Sequence, residues 1–159
     1  MNTNHVITRK ISQKNRLKKH RQDRSRKKRK LLVAFIWAII LAFYTSVNNL
    51  EDLLALQSVT FKWNTSPDYA SFFHFLDITK IHRYFVFVKV GHFIGFAILD
   101  LLLFNWLQNH KKSIFISITF AFLTEFFQFY LGRDGRLYDL IIDSLGVITV
   151  FLLIKIIRK

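Results

Sequence analysis

Residues 85–107 read FVFVKVGHFIGFAILDLLLFNWL, an apolar run of 23 positions interrupted by Lys89, His92 and Asp100. As a helix it would be about 34 Å long, enough to cross the roughly 30 Å hydrocarbon core of a bilayer. A charge near the centre of a membrane helix costs roughly 2.5–3.5 kcal/mol on insertion scales, against a gain of about 0.3–0.6 for each Leu or Phe. Ionisable residues persist in such helices when they face other protein and find partners there, so each marks a candidate site.

Three further apolar stretches lie outward from this one, at residues 31–47, 114–131 and 138–157. The linkers at 108–113 and 132–137 are short, as between antiparallel neighbouring helices. With 159 residues, 52% of them hydrophobic and 18 of them Phe, the chain reads as one all-α integral membrane domain, a four-helix bundle spanning 31–159. It has no cysteine, which excludes disulfides, thiolate metal sites and cysteine nucleophiles. In the first long loop, residues 69–76 (YASFFHFL) are aromatic-rich and too short to span. They predict a short helix in the membrane interface.

The net charge of +14 is concentrated at one end. Residues 1–30 hold 13 of the 24 Lys and Arg and only one acid, Asp23. Like-charge repulsion predicts an extended or transiently helical tail. The positive-inside rule then makes this tail cytoplasmic and the 31–47 stretch an uncleaved signal anchor. The Lys111-Lys112 turn and the Lys155, Arg158 and Lys159 end also fall inside, which predicts a multi-pass cell-membrane protein with both termini cytoplasmic. The outer 132–137 turn carries Arg133 and Arg136 against that rule. Contact with anionic lipid heads suits the basic tail better than nucleic acid, because interleaved aromatics are missing.

Spacing gathers the polar residues. Lys89 and His92, like Glu125 and Gln128, stand three apart, and Asp139 and Asp143 stand four apart, so each pair shares a helix face. Counted at 1.5 Å per residue, Lys89, His92, Glu125 and Asp143 lie about 6–10 Å below the outer helix ends, with Asp139 at the edge and the two arginines above. Lys89 is expected to pair with Glu125 or Asp143, and Gln128 to bond a backbone carbonyl. Asp100 shares the Lys89 face but lies about 17 Å deeper, as a separate feature. Gly91 and Gly95 form a G-x-x-x-G suited to close helix packing, and Gly146 suggests the same.

The ordered set Lys89-x-x-His92, Glu125-x-x-Gln128, Gly132-Arg133 and Asp139-x-x-x-Asp143 followed by Gly146 resembles the VanZ-like family of bacterial membrane proteins. The resemblance covers about residues 80–155. Leu131 stands where the family often has Pro, and the basic tail lies outside the pattern. The resemblance implies lowered susceptibility to lipoglycopeptide antibiotics of the teicoplanin type, with no reaction attached to it.

Several chemistries fit the candidate binding residues Lys89, His92, Glu125, Gln128, Arg133, Arg136, Asp139 and Asp143. A non-enzymatic factor would use the cations to hold phosphate or carboxylate groups of membrane lipids, of a lipoglycopeptide or of a lipid-linked cell-wall precursor. An enzyme acting on a lipid headgroup or lipid-linked phosphate would draw its catalytic groups from His92, Glu125 and Asp139. The first reading is preferred, because Ser144 directly follows Asp143 and no other helix hydroxyl lies near as nucleophile. A purely structural network is a third reading, and a transporter a fourth, although four helices enclose little pathway. No cofactor is expected. His92, Glu125 and Asp139 suit zinc, but a closed ligand set would need a second histidine, and His74 and His82 are only loop candidates. Asp139 and Asp143 as an acid/base pair are disfavoured by the arginines above them. The oligomeric state is left open.

Overall fold

A computed structural model describes residues 3–46, 63–74, 83–131 and 135–158. Among the described residues there are four α-helices, α1 (Thr3–Ser46), α2 (Arg83–Leu107), α3 (His110–Gln128) and α4 (Leu137–Ile157), and one 3₁₀ turn, Tyr69–Phe73. No strand occurs among the described residues.

The basic tail departs from expectation. Residues 3–46 form one helix of 44 residues, running through the charged segment into the apolar one without a break. No Gly or Pro interrupts it, and Lys, Arg and Gln have helix propensities close to that of Leu. The packed apolar half supplies the nucleus, so each tail residue need only extend an existing helix. Residues 13–29 are exposed, and Lys30 donates through Nζ to the Asn105 carbonyl at 3.1 Å, near the end of α2.

Helix α2 packs against each of the other three helices. Phe96, Leu99, Ala121 and Val147 form the buried centre. At Gly146, a Cβ would run into the backbone carbonyl of Phe93, so this glycine lets α4 lie against the main chain of α2. Gly91 and Gly95 face α1, where Tyr44 and Leu41 pack over them and the Trp37 indole N–H donates to the Gly95 carbonyl at 2.9 Å.

The α2–α3 connection is tighter than the sequence suggested. Gln108 takes a left-handed conformation (φ 53°) and its N–H returns to the Phe104 carbonyl at 2.8 Å, closing α2. Asn109 then caps α3 by accepting from the Lys112 N–H at 3.1 Å, so α3 starts at His110 rather than near Ile114. His110 stacks on Phe104 at 4.0 Å, and Arg158 lies over the same ring at 4.7 Å. Lys30, the α2–α3 turn and the end of α4 thus share one end of the structure.

Burial is inverted relative to a water-soluble protein. Asp100, Glu125 and Asp143 are fully buried, whereas Phe35, Phe87, Phe115, Leu152 and Ile156 are exposed around the outside. Such an apolar girdle around polar groups is what a lipid solvent requires. Among the described residues, three helices are long and apolar enough to cross a membrane: the one containing residues 13–46, Val86–Leu107 and Leu137–Ile157. The sequence predicts four spans; α3, which has 19 residues, opens on His110-Lys111-Lys112 and carries Glu125, is not among these three.

Candidate functional site

The i+3 spacing on α2 meets the i+4 spacing on α4 as two rungs. Lys89 Nζ stands 2.5 Å from Asp139 Oδ1, and His92 Nδ1 stands 3.3 Å from Asp143 Oδ1. The sequence predicts Glu125 or Asp143 as the partner of Lys89; the ion pair seen here is with Asp139. Of the two acids on α4, Asp139 lies nearer the capped end, where a lysine stem can extend. Lys89 also lies over the Tyr138 ring at 4.9 Å. Asp139 sits in the first turn of α4, where the helix dipole favours an anion.

Glu125 comes in from α3 and is fully buried. Its Oε2 accepts the backbone N–H of Arg136 at 3.0 Å. Gly135 makes that approach possible, because a Cβ there would strike the carbonyl of Glu125 itself. His92, Glu125 and Asp143 each offer a ligand atom, all within 4.8 Å of one another. The third member is Asp143, whereas the sequence pointed to Asp139 beside His92 and Glu125.

Arg136 is turned inward and is only 8% exposed. Its Nη1 donates to the Ser71 carbonyl at 2.6 Å, which ties the start of α4 to the 3₁₀ turn. Asp68 caps that turn by accepting from the Ala70 N–H at 2.9 Å, and the Ser71 hydroxyl donates to the Asp68 carbonyl at 2.6 Å. The segment 63–74 then docks on the end of α3. Asn64 N–H donates to the Tyr130 carbonyl at 2.8 Å, and the Tyr69 and Tyr130 hydroxyls meet at 2.9 Å. That hydroxyl contact raises the Tyr69 phenol above its ordinary pKa. Phe72 and Tyr69 pack on Phe129 at 5.9 and 5.7 Å. The residues expected to form an interfacial helix therefore build a cap on this end, as a 3₁₀ turn; positions 75 and 76 lie outside the described residues.

Gln128 donates to the Thr45 carbonyl at 3.0 Å, the backbone bond expected of it, and so clamps α1 to α3. Arg133, with Gly132 and Asp134, lies outside the described residues, as does His82. His74 is exposed. Asp100 is a separate feature, buried on α2 and accepting from the Ser117 hydroxyl at 3.2 Å. Sequence reasoning missed Tyr44, Thr45 and Ser71. Tyr44 lies 6.2 Å from the His92 ring, and its only signal was an aromatic at the end of the first apolar stretch. Asp68 ahead of the turn was a legible N-cap signal.

Between α1 and α2, beside this cluster, lies an apolar cavity of about 380 Å³ lined by Trp37, Leu41, Tyr44, Val90, Gly91 and Gly95. His92, 1% exposed, does not line it.

The VanZ/LLP1 family model matches residues 30–158, which takes in the apolar half of α1, helices α2 to α4 and both rungs. The chain is a member of the VanZ/LLP1 family. A Bacillus subtilis (strain 168) relative, the uncharacterized membrane protein YwnJ, is 30% identical over 120 residues, covering 75% of this chain and 84% of its own. The family match begins at the last tail residue, so the basic part of α1 lies outside the shared domain. No solved structure matches.

Proposed function

We propose that this VanZ/LLP1 protein crosses the cell membrane four times with both termini cytoplasmic. In this reading its capped polar cluster lies in the outer half of a helical bundle and engages anionic groups there. The ligands would be the phosphates and carboxylates of membrane lipids, lipid-tailed glycopeptides or lipid-linked cell-wall precursors, and the outcome would be lowered susceptibility to teicoplanin-type antibiotics. One observation carries the reading. Three apolar helices converge on Lys89, His92, Glu125, Asp139 and Asp143 beneath a docked aromatic cap, which is more polar hardware than helix registration needs. Lys89, paired with Asp139 and with 16% of its side chain exposed, supplies a cation at the site; Arg133, outside the described residues, is the further cation expected there from the sequence. The apolar cavity alongside suits an acyl chain.

The test expresses the protein in a susceptible bacterial host and compares wild type with His92→Ala at equal membrane levels. Wild type should raise the inhibitory concentration of a lipid-tailed glycopeptide more than that of an untailed one, and His92→Ala should not. Equal protection by the two proteins would refute the site assignment.

A second reading rests on the His92–Asp143 rung. An imidazole within 3.3 Å of a carboxylate is the arrangement of an oriented general base, which would serve hydrolysis of a lipid headgroup. In this reading water is the attacking group, because the sequence sets Ser144 directly after Asp143 rather than facing it.

A further inference from the structure

We propose that His92, Glu125 and Asp143 form a divalent-cation site of the zinc class, on grounds independent of the antibiotic phenotype. The three residues come from three different helices, are 0–1% exposed and present ligand atoms within 4.8 Å of one another. Two ligands at zinc bond lengths subtending a tetrahedral angle stand about 3.3 Å apart, which is the His92 Nδ1 to Asp143 Oδ1 separation.

The hydrogen bonding points the same way. Glu125 Oε2 is held by the Arg136 N–H, whereas its Oε1 is buried without a hydrogen-bond partner among the described residues. Asp143 Oδ2 is in the same condition. A buried carboxylate oxygen left unsatisfied is costly, and a cation shared by both acids satisfies them together. The Arg136 bond resembles the outer-shell contacts that orient metal-binding carboxylates.

Charge balance is the third argument. A divalent ion with two carboxylates and a neutral imidazole is formally neutral, and Lys89 with Asp139 is neutral beside it. Neutrality matters in an apolar surround, where each uncompensated charge is expensive. It also separates the two acids of α4: Asp139 answers the lysine and Asp143 the metal. An imidazole ligand favours zinc or another first-row transition metal over magnesium or calcium. Three protein ligands leave a coordination position open, as in sites that bind water or an anion. A closed ligand set, on the sequence argument, needs a second histidine; one imidazole and two carboxylates leave the set open.

The experiment uses the full chain, purified in detergent on a tag without histidines, stripped with chelator and titrated with zinc chloride. Metal retained after gel filtration is measured by mass spectrometry. Wild type should hold one zinc per chain. Asp143→Asn and Glu125→Gln should each bind it at least about tenfold more weakly. His110→Ala, at the far end of the structure against Phe104, should keep it. X-ray absorption of the wild-type zinc complex should show nitrogen and oxygen ligands with a single imidazole, which tests the assignment even where a variant fails to fold. Absence of zinc from wild type, retention unchanged in both ligand variants, or two or more imidazoles in the spectrum would each overturn the proposal.

Discussion

The backbone N–H of Arg136 donates to the buried carboxylate of Glu125 across 3.0 Å, so the main chain at the start of α4 completes a side-chain site on α3. The same residue's guanidinium reaches the other way, to Ser71 at 2.6 Å. One residue therefore couples the cap to the polar cluster, and the chain reaches this position only because residue 135 has no Cβ.

Gly135→Ala is accordingly predicted to destabilise the protein. The added methyl meets backbone, which cannot swing away as a side chain can. Losing the bond to Glu125 leaves a buried acceptor at a cost of about 1–3 kcal/mol. Gly91→Ala should be milder, since its Cβ meets the end of the Tyr44 side chain at 2.9 Å. Thermal unfolding in detergent ranks the two variants, and equal midpoints would count against the close-approach argument.

Lys89 and Asp139 should behave as one unit. In a double-mutant cycle with Lys89→Met and Asp139→Asn, contacting residues couple by about 0.5–3 kcal/mol. The partial exposure of Lys89 and the modest strength of intramembrane polar contacts favour the lower end of that range. Coupling between Lys89 and Glu125, measured in the same way, should be smaller. The reverse order would restore the pairing first read from the sequence.

Much of this cluster was legible from spacing alone, because i+3 and i+4 periodicity puts Lys89 with His92 and Asp139 with Asp143 on single helix faces. The pairing between faces was not. It depends on how closely α4 approaches α2, which Gly146 decides, and on the commitment of Glu125 to a loop N–H, which no periodicity encodes. The inward turn of Arg136 was hidden for the same reason, since its partner Ser71 lies 65 residues away. Helicity of the basic tail was misjudged because charge repulsion was weighed without the packed helix that the tail extends. Asp100, by contrast, needed only its depth along α2 to be set apart.

Gln108 offers a change in the opposite direction. Its φ of 53° is a left-handed conformation that costs a non-glycine residue roughly 1–2 kcal/mol. Gln108→Gly removes that strain and gives up an exposed bond from Nε2 to the Asn105 carbonyl at 2.8 Å. A net gain of up to about 1 kcal/mol in the unfolding free energy is expected. A loss would mean that the side-chain bond, rather than the backbone, governs the turn.

Sidedness can be read with cysteines, since the chain has none of its own. Ser66, in the segment leading to the cap, and Asn109, at the α2–α3 turn, are both exposed positions at opposite ends of α2. With the termini cytoplasmic, an impermeant maleimide added to intact cells should label Ser66→Cys and leave Asn109→Cys unlabelled until the membrane is broken. The reversed pattern would invert the topology, and labelling of both would place α2 off a simple crossing.

The two arginines of the last turn are predicted to part company. Arg136→Lys removes a planar fork that reaches Ser71, and lysine's single ammonium is a poor replacement for it. A loss of about 1–2 kcal/mol and looser docking of the 63–74 segment should follow, seen as faster proteolysis near Ser66. Arg133→Lys keeps the positive charge, and a conservative change of this kind is expected to stay within about 0.5 kcal/mol. Its effect should instead appear in protection against lipid-tailed glycopeptides, because bidentate recognition of phosphate or carboxylate is lost while the fold is kept. Stability and protection measured on both variants give a two-by-two outcome. If Arg133→Lys protects as well as wild type, the turn does not bind the anion through a guanidinium, and Lys89 is left as the cation facing the ligand.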